Sequence, residues 1–415
     1  MTPFSKRKRF LLKFSNESEE VLLSNAKHPT TVSVRSGIAT DSAFGAVVPP
    51  LYLSTNFTFE GYGAKRRYDY TRSGNPTRDL LGDAIAQLEG GVGGVITASG
   101  MAALTLLTHL VKAEGRIIAP HDCYGGTFRL LTALQERGRI KVSFVDQGDE
   151  AAVCAAFAEP VALVLVETPS NPLLRVVDIA AIARHCRLND ALLAVDNTFL
   201  SPALQQPISF GADLVIHSTT KYLNGHSDVV GGAVIAKTPE LLERLTWWAN
   251  CLGLTGAPFD AYLTLRGLRT LEPRIRAHQD NATAVVRLLR DHPSVTWVYY
   301  PGLPEHEGHA IAKRQQTGFG AMVSFEIAGG APNISAFLEG LECFSLAESL
   351  GGVESLIAHP ATMTHSSMTP EARERAGISD TLVRLSVGIE HETDLLRDLK
   401  AGLDRAARVS DRRRA

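Results

Sequence analysis

Short apolar strands alternate with amphipathic helices over roughly residues 90 to 240 of this chain. Stretches such as GVIT, RIIAP, KVSFVD, VALVLVETP, ALLAVDNT, DLVIHS and GGAVIAK have the length and composition of buried strands. Helical stretches such as MAALTLLTHLVKAEG and VDIAAIARHCRLN lie between several of them. Strands that alternate with helices in this way are typical of a mostly parallel sheet covered by helices on both faces. The sequence therefore predicts an α/β fold for this part of the chain.

A different pattern begins near residue 274. A long helical stretch is followed by the strand-like segments TWVYYPG, AMVSFEI and LVRLSVGIE, and then by a final helix, TDLLRDLKAGLDRAARV. This order predicts a smaller α+β domain. Because 415 residues exceed what one hydrophobic core usually supports, we predict a large domain over residues 89–273 and a small C-terminal domain over residues 274–415.

Two further segments are predicted before the large domain. Residues 28–88 are predicted to form an N-terminal arm and a helix. Residues 1–27 begin with basic residues, and their apolar run is interrupted by Lys13. Because a secretory signal needs a longer apolar segment, we predict a disordered extension at this end of the chain.

The composition argues against several classes of protein. A net charge of −2 gives no electrostatic reason to expect nucleic acid as a partner, and the apolar runs are too short to span a membrane. The five cysteines are scattered and no CxxC pair occurs, which argues against a disulfide framework and against a zinc site. We therefore predict a cytoplasmic protein without a metal site.

Polar residues gather directly after the predicted strands. In an open parallel sheet, ligands bind outside the carboxyl ends of the strands, so these residues are expected to meet at one edge. The edge would collect a helix start, an aromatic ring, an amide, a carboxylate and a lysine. The residues concerned are Ser99, Gly100, Met101, Tyr124, Asn171, Asp196, Ser218, Thr220 and Lys221.

The helix start and the hydroxyl groups suggest a phosphate site. Gly100 and Met101 open a helix, where free backbone N–H groups and the positive end of the helix dipole attract anions. The hydroxyl groups of Ser218 and Thr220 could complete the hydrogen bonds of that phosphate. Lys221 follows them, and a partly desolvated lysine near other cations has a lowered pKa and becomes a nucleophilic amine.

Two further residues suggest which phosphate compound is bound. Asp196 could hold a pyridine nitrogen protonated, and Tyr124 could stack on the ring. A Schiff-base lysine, an aspartate that pairs with a pyridinium and a phosphate cradle together predict pyridoxal 5′-phosphate. Taken alone, Asp196 would suit a helix cap equally well, because Asp-Asn-Thr favours caps.

The sequence also resembles the cysteine/methionine-metabolism family of pyridoxal-phosphate enzymes. The matching stretches run in order from about residue 30 to 400, nearly the whole chain. They are YDYTRSGNPTRD, ASGMAAL, APHDCYGGT, VETPSNPLLRVVDI, VDNTFLSPALQ, HSTTKYLNGHSDVVGG, AESLGGVESLIAHPATMTH and VRLSVGIE. The resemblance implies the type I pyridoxal-phosphate transferase fold, like that of aspartate aminotransferase. It also implies that Lys221 forms the Schiff base and later moves protons.

The resemblance assigns further roles to both ends of the chain. Gly100, Met101, Ser218 and Thr220 would hold the phosphate, and a neighbouring subunit would add Tyr70 and Arg72 to it. Arg384 would clamp the α-carboxylate of the substrate, a task that suits its planar guanidinium. The other substrate and cofactor contacts would come from Asn171, Ser349 and Glu348, the last recognising the incoming amino group.

Within the family, the resemblance implies γ-replacement in methionine biosynthesis by transsulfuration. O-succinyl-L-homoserine and L-cysteine would give L-cystathionine and succinate, in a homotetramer built from dimers with shared active sites. The same machinery serves cystathionine γ- or β-lyases and O-acylhomoserine sulfhydrylases, which stay open as alternatives. Ser73 stands where many γ-synthases have a second arginine, so the choice between succinyl and acetyl donors also stays open.

Other motifs in the sequence lack the context that their function needs. GGVGGV resembles a dinucleotide fingerprint, but a strand follows it where a helix is required. HEGH lacks the histidine spacing of a zinc protease. A scaffolding protein on the same fold is the second hypothesis, because a fold alone does not determine function. The lysine, aspartate and arginine favour the enzyme, since a scaffold has no need of them.

Overall fold

The structure is a computed structural model that describes residues 27–364, 366 and 370–414. The predicted N-terminal extension therefore lies outside the described residues, apart from Lys27. Within the described part of the chain, no helix is both long enough and apolar enough to cross a membrane.

An arm and two helices precede the large domain. Helix α1 is Pro29–Arg35 and helix α2 is Pro76–Glu89. The side chain of Asn75 caps α2 by accepting hydrogen bonds from the backbone N–H groups of Thr77 and Arg78. The arm between the two helices consists largely of turns and isolated bridges, and many of its residues are exposed. It includes the fully exposed aromatic rings of Phe44 and Tyr62.

The large domain contains a seven-stranded sheet in the order β1-β7-β6-β5-β4-β2-β3. Its strands are β1 Gly93–Thr97, β2 Arg116–Pro120, β3 Lys141–Val145, β4 Leu163–Glu167, β5 Leu192–Asp196, β6 Leu214–His217 and β7 Gly232–Ala236. The helices are α3 Gly100–Thr108, α4 Gly125–Glu136, α5 Glu150–Ala156, α6 Ile179–Leu188, α7 Ser201–Leu204, α8 Pro239–Leu252 and α9 Pro258–Leu268. Strand β7 is antiparallel to both of its neighbours, β1 and β6.

Helices cover both faces of this sheet. Alternate residues of β4 show this, because Leu163 and Leu165 pack into one hydrophobic core with α3, whereas Val164 and Val166 pack into another with α5 and α6. All five residues of β4 are buried, as is typical of a parallel strand covered on both faces. The predicted mostly parallel α/β sheet is confirmed.

The small domain is built on a five-stranded sheet in the order β10-β11-β12-β9-β8. Its strands are β8 Val295–Tyr299, β9 Met322–Ile327, β10 Ser345–Leu346, β11 Leu356–Ala358 and β12 Leu382–Ser386. Only β10 and β11 pair in parallel among the described strands of this sheet. The helices are α11 His309–Gln315, α12 Ala331–Leu338, α13 Pro370–Ala376 and α14 Glu392–Arg414.

A long helix, α10 Leu271–Asp291, joins the two domains. Its first part packs with α2 and α9 through Leu271 and Ile275. Its last part packs on the small sheet through Val285 and Leu289. The predicted boundary between residues 273 and 274 lies inside this helix, which therefore belongs to both hydrophobic cores.

The same helix holds two segments that matter for the site. Arg274 donates a hydrogen bond from Nη1 to the carbonyl oxygen of Tyr222, at 2.8 Å. One turn later, Nδ1 of His278 lies 2.6 Å from the carbonyl oxygen of Val387, just beyond β12. Helix α10 thereby fixes the loop after β6 relative to the end of β12.

Candidate active site

The residues predicted at the strand ends lie on neighbouring strands of the large sheet. Asp196 ends β5, and the pairing of β4 with β5 sets Glu167 opposite it. Asp196 also pairs in register with Ile216 of β6, so the loop that carries Lys221 leaves the sheet at the same edge. Because these strands run parallel, their carboxyl ends meet where the sequence predicts a ligand.

Lys221 lies in this loop in a partly buried position. Its Nζ donates a hydrogen bond to Oγ of Ser349 at 2.6 Å. Burial, and then the positive charge of Arg384, lower the pKa of Lys221 to about 8, whereas Glu348 acts in the opposite direction. A larger fraction of the amine is therefore neutral near neutral pH than for an exposed lysine.

Arg384 reaches this lysine from the small domain. It is buried on β12, and burial lowers its pKa to about 10. Nη1 donates to Oδ1 of Asn171 at 2.8 Å, and Nη2 donates to the carbonyl oxygen of Ser349 at 2.9 Å. Nε is buried without a hydrogen-bond partner. A buried donor without a partner is costly, and the carboxylate of a bound substrate would satisfy it.

Ser349 connects the lysine to the arginine. Its Oγ accepts from Lys221 and its carbonyl oxygen accepts from Arg384. Its φ of +90° is sparsely populated by residues other than glycine. Residues held in such conformations cluster at ligand sites. The predicted substrate residues Arg384, Ser349 and Asn171 are thus brought together around Lys221.

Glu348, next to Ser349, is exposed. Its negative charge raises the pKa of both Lys221 and Arg384, so it lies close enough to act on the two cations. This position is compatible with contact to an incoming amino group from the open side of the site.

Two carboxyl groups lie side by side on β4 and β5, with Glu167 buried and Asp196 partly buried. Burial raises the pKa of Asp196, although hydrogen bonds from Thr198 oppose the rise. Burial, and then the adjacent Asp196, raises the pKa of Glu167 well above its ordinary range. Among the ion pairs of the described residues, neither carboxyl group has a cationic partner. A pyridinium placed next to Asp196 would supply the missing positive charge.

Glu167 is a site residue that the sequence reasoning missed. Its Oε2 accepts the backbone N–H of Tyr124 at 2.9 Å, and its Oε1 accepts that of Asn171 at 3.1 Å. One buried side chain therefore fixes the loops after β2 and β4. The only signal in the sequence was its place in VLVETP, at the end of an apolar strand.

The predicted phosphate cradle forms where α3 begins. A Cβ atom on Gly100 would lie 2.9 Å from Cβ of Ser218, so only glycine permits this approach of the two loops. A Cβ atom on Gly126 would lie 2.5 Å from the Tyr124 ring and 2.8 Å from Sδ of Met101. The ring of Tyr124, about two-fifths exposed, thus lies next to the helix start.

Thr220 and Thr198 have partners that the sequence did not reveal. The hydroxyl group of Thr220 is within hydrogen-bond distance of both the carbonyl oxygen and the N–H group of Gly231, at 3.2 and 3.0 Å. A phosphate would have to compete with this contact. The hydroxyl oxygen of Thr198 accepts the N–H of Ser218 at 2.9 Å, so Thr198 connects the phosphate loop to Asp196.

Tyr70 and Arg72 lie on the arm. The Arg72 guanidinium lies over the Tyr70 ring, 5.5 Å from its centre, and Nε donates to Oδ1 of Asn250 on α8 at 3.1 Å. Tyr70 is about half exposed. Ser73 donates to Oδ1 of Asp69 at 2.9 Å and to the carbonyl oxygen of Tyr70 at 2.7 Å, so it closes its own turn.

These observations fit pyridoxal 5′-phosphate. The helix start at Gly100 offers donors to a phosphate, the carboxyl pair suits a pyridinium, and Lys221 has a lowered pKa. Arg384 has an unpaired donor left for a substrate carboxylate. The donor set and the charges therefore agree with the cofactor that the sequence predicts.

The chain belongs to the family of Cys/Met metabolism PLP-dependent enzymes, whose family model matches residues 30–404. It is 58% identical over 373 residues to the cystathionine gamma-synthase of Escherichia coli strain K12, covering 90% of this chain and 97% of the relative. It is 47% identical to a cystathionine gamma-lyase of Dictyostelium discoideum, covering 92% of this chain and 98% of the relative.

A solved structure is similarly close. The cystathionine gamma synthase of Xanthomonas oryzae pv. oryzae, in complex with aminoacrylate and cysteine, superposes with a TM-score of 0.92 at 59% identity. The match covers 92% of this chain and 99% of that one. The predicted family, fold class and cofactor are confirmed, whereas the individual site residues remain predictions.

We expect Glu167→Gln to weaken cofactor binding by about 10-fold or more. An amide has a single acceptor oxygen, so one of the backbone N–H groups of Tyr124 and Asn171 loses its partner, and a buried donor left without a partner costs about 1–3 kcal/mol. The measurement is the Kd of the cofactor, from absorbance on reconstitution of the apoenzyme. Glu159→Gln, at a carboxyl group that is 75% exposed, is the control. An unchanged Kd would contradict the role given to Glu167.

Proposed function

We propose that this enzyme catalyses γ-replacement, in which O-succinyl-L-homoserine and L-cysteine give L-cystathionine and succinate. The observation that carries the proposal is the connected set of Lys221, Ser349, Arg384 and Asn171, joined through Asn171 to the neighbouring carboxyl groups of Glu167 and Asp196. The γ-synthase relatives share more identical residues with the chain than the γ-lyase relative does. This difference favours synthesis over cleavage.

Arg384 would hold the amino-acid part of the donor. Its unpaired Nε can donate to one carboxylate oxygen, while a neighbouring Nη group can donate to the other, which is the bidentate geometry that guanidinium favours. Because Asn171 and Ser349 already fix the guanidinium, little side-chain entropy remains to be lost on binding. Burial of the site also excludes water from this contact.

Lys221 would move the protons. When bound, the cofactor supplies an electron sink for the charge left at Cα of the amino acid. With a pKa lowered to about 8, the Nζ amine can take the Cα proton. It can then act in the proton transfer at Cβ that accompanies the loss of succinate from Cγ. The hydroxyl group of Ser349, 2.6 Å from Nζ, orients the amine between these positions.

Tyr124 and Glu348 would contact the second substrate, cysteine. The thiol of cysteine adds at Cγ, forming the C–S bond of cystathionine where the C–O bond to succinate was broken. The exposed carboxylate of Glu348 can attract the ammonium group of cysteine. Tyr124 lies at the other side of the helix start and would cover the ring.

Lys221→Ala should lower turnover by at least about 10³-fold, within the range expected for loss of a general acid–base group. The visible absorbance of bound cofactor should change, while the far-UV circular dichroism stays that of the folded protein. Lys237→Ala, at an exposed lysine after β7, is the matched control and should behave like the wild type. Turnover of Lys221→Ala within tenfold of the control would overturn the assignment.

The direction of the reaction can be measured directly. We expect kcat/KM for synthesis from O-succinyl-L-homoserine and cysteine to exceed that for cleavage of cystathionine by at least about 10-fold, a difference of about 1.4 kcal/mol. O-acetyl-L-homoserine, and sulfide in place of cysteine, are compared in the same assay. Faster cleavage of cystathionine would make the enzyme a lyase, and a preference for sulfide would make it a sulfhydrylase.

The proposal includes shared active sites. The exposed apolar side chains of the arm, among them Phe44, Leu53, Phe59 and Tyr62, form a surface of the kind that another chain covers. We infer that a second copy covers it, so that Tyr70 and Arg72 reach the neighbouring phosphate. Two such dimers would form a homotetramer. The free thiols of all five cysteines support a reducing compartment such as the cytoplasm.

Subunit mixing tests this arrangement. Lys221→Ala and Tyr70→Phe/Arg72→Ala proteins are mixed under conditions that exchange subunits, and activity should return because one site of a mixed dimer is intact. The control is a mixture of Lys221→Ala with Asp196→Asn, in which every site stays defective. Light scattering gives the number of subunits. No recovery in the first mixture would show that each site is built from one chain.

A further inference from the structure

A cysteine, a histidine and a glutamate meet on the surface of the large domain, on two helices that carry none of the active-site residues. They are Cys154 and Glu150 on α5 and His185 on α6. Nε2 of His185 lies 2.8 Å from Oε1 of Glu150, and Sγ of Cys154 lies 3.8 Å from the same oxygen. The three ligand atoms all lie within 4.8 Å of one another.

We propose that these three side chains bind a divalent transition-metal ion, with Zn²⁺ as the fitting case. Thiolate, imidazole and carboxylate are the ligands that zinc prefers, and three protein ligands with a water complete a tetrahedral site. At the usual zinc–ligand lengths, neighbouring ligand atoms lie roughly 3.3–3.6 Å apart. The observed separations, up to 4.8 Å, need changes of at most about 1.3 Å to reach this geometry.

The backbone around the three ligands is already held in place. Val153 and Ala156 of α5 pack in the same hydrophobic core as Ile182 and Cys186 of α6. This core fixes the two helices next to each other. Glu150 and Cys154 are four residues apart, so they lie on one face of α5.

The imidazole is also oriented. The ring of Phe157 stacks on His185 with a centre-to-centre distance of 5.5 Å and an angle of 20° between the planes. The contact of Nε2 with Glu150 directs that nitrogen towards α5. The Glu150 side chain is 69% exposed and Cys154 is exposed, so an ion can enter from solvent.

Binding would exchange protons for the metal. The Cys154 thiol releases its proton to solvent and ligates as thiolate, and His185 ligates as neutral imidazole. The ion would then connect α5 to α6 and stabilise the folded state by an amount that grows with the logarithm of its free concentration above Kd. The sequence analysis predicts no zinc site because the chain contains no CxxC pair. That spacing rule cannot detect ligands from two different helices.

The test uses the full-length, cofactor-loaded protein and zinc chloride. Calorimetric titration should show one zinc ion per chain. Cys154→Ser and His185→Gln should each weaken binding by at least about 10-fold, since even the loss of a residue that merely orients a ligand costs 10–100-fold. Cys251→Ser, which removes another exposed thiol, should leave the affinity unchanged. Turnover without added metal should be the same in all four proteins.

Cobalt(II) supplies a second measurement. A thiolate-to-cobalt charge-transfer band should appear with the wild type and with Cys251→Ser, and it should be absent with Cys154→Ser. His185→Gln keeps the thiol and so separates loss of the site from loss of a cysteine. The proposal is wrong if the wild type takes up no zinc, if Cys154→Ser binds it as tightly as the wild type, or if Cys251→Ser abolishes binding.

Discussion

Two carboxyl groups, Glu167 and Asp196, lie next to each other at the ends of adjacent strands, and much of the site is arranged around them. Each needs hydrogen-bond donors or a cation, because a polar group that is shielded from water and has no partner is costly. Glu167 takes its donors from the loops that carry Tyr124 and Asn171. Asp196 takes its donors from Thr198, which also holds Ser218. The hydrogen bonds of the two carboxyl groups therefore bring together the loops that carry Tyr124, Asn171 and Ser218.

The small domain contributes a positively charged side chain, Arg384, which is connected to this pair of carboxyl groups. Arg384 is held by Asn171, which is itself held by Glu167. The same guanidinium helps to lower the pKa of Lys221. The pKa of Lys221 and the position of Arg384, the proposed substrate clamp, therefore depend on the same network of hydrogen bonds. Removing one member is expected to affect the others, because residues in one network are not energetically independent.

The sequence predicted the parts of this arrangement that depend on local pattern. Apolar stretches flanked by helices identified the strands, and strand ends identified Lys221, Asp196 and Tyr124. It did not predict that β7 runs antiparallel between β1 and β6, that Thr220 bonds Gly231, or that Arg72 contacts Asn250. These features depend on contacts between distant segments, which periodicity does not encode. Glu167 was missed because a carboxyl group within a buried strand gives no local signal of its partners.

Helix α10 has a consequence for how the molecule unfolds and moves. Leu271 and Ile275 belong to one hydrophobic core, and Val285 and Leu289 belong to the other. Neither domain can lose the helix without exposing apolar surface of its neighbour, so the two cores are thermodynamically coupled. The same helix is hydrogen-bonded to the loop that carries Lys221, through Arg274, and to the residue just beyond β12, through His278. Any separation of the Lys221 loop from the end of β12 must therefore bend α10 or break one of these bonds, which makes the helix a spacer that sets the distance between Lys221 and Arg384.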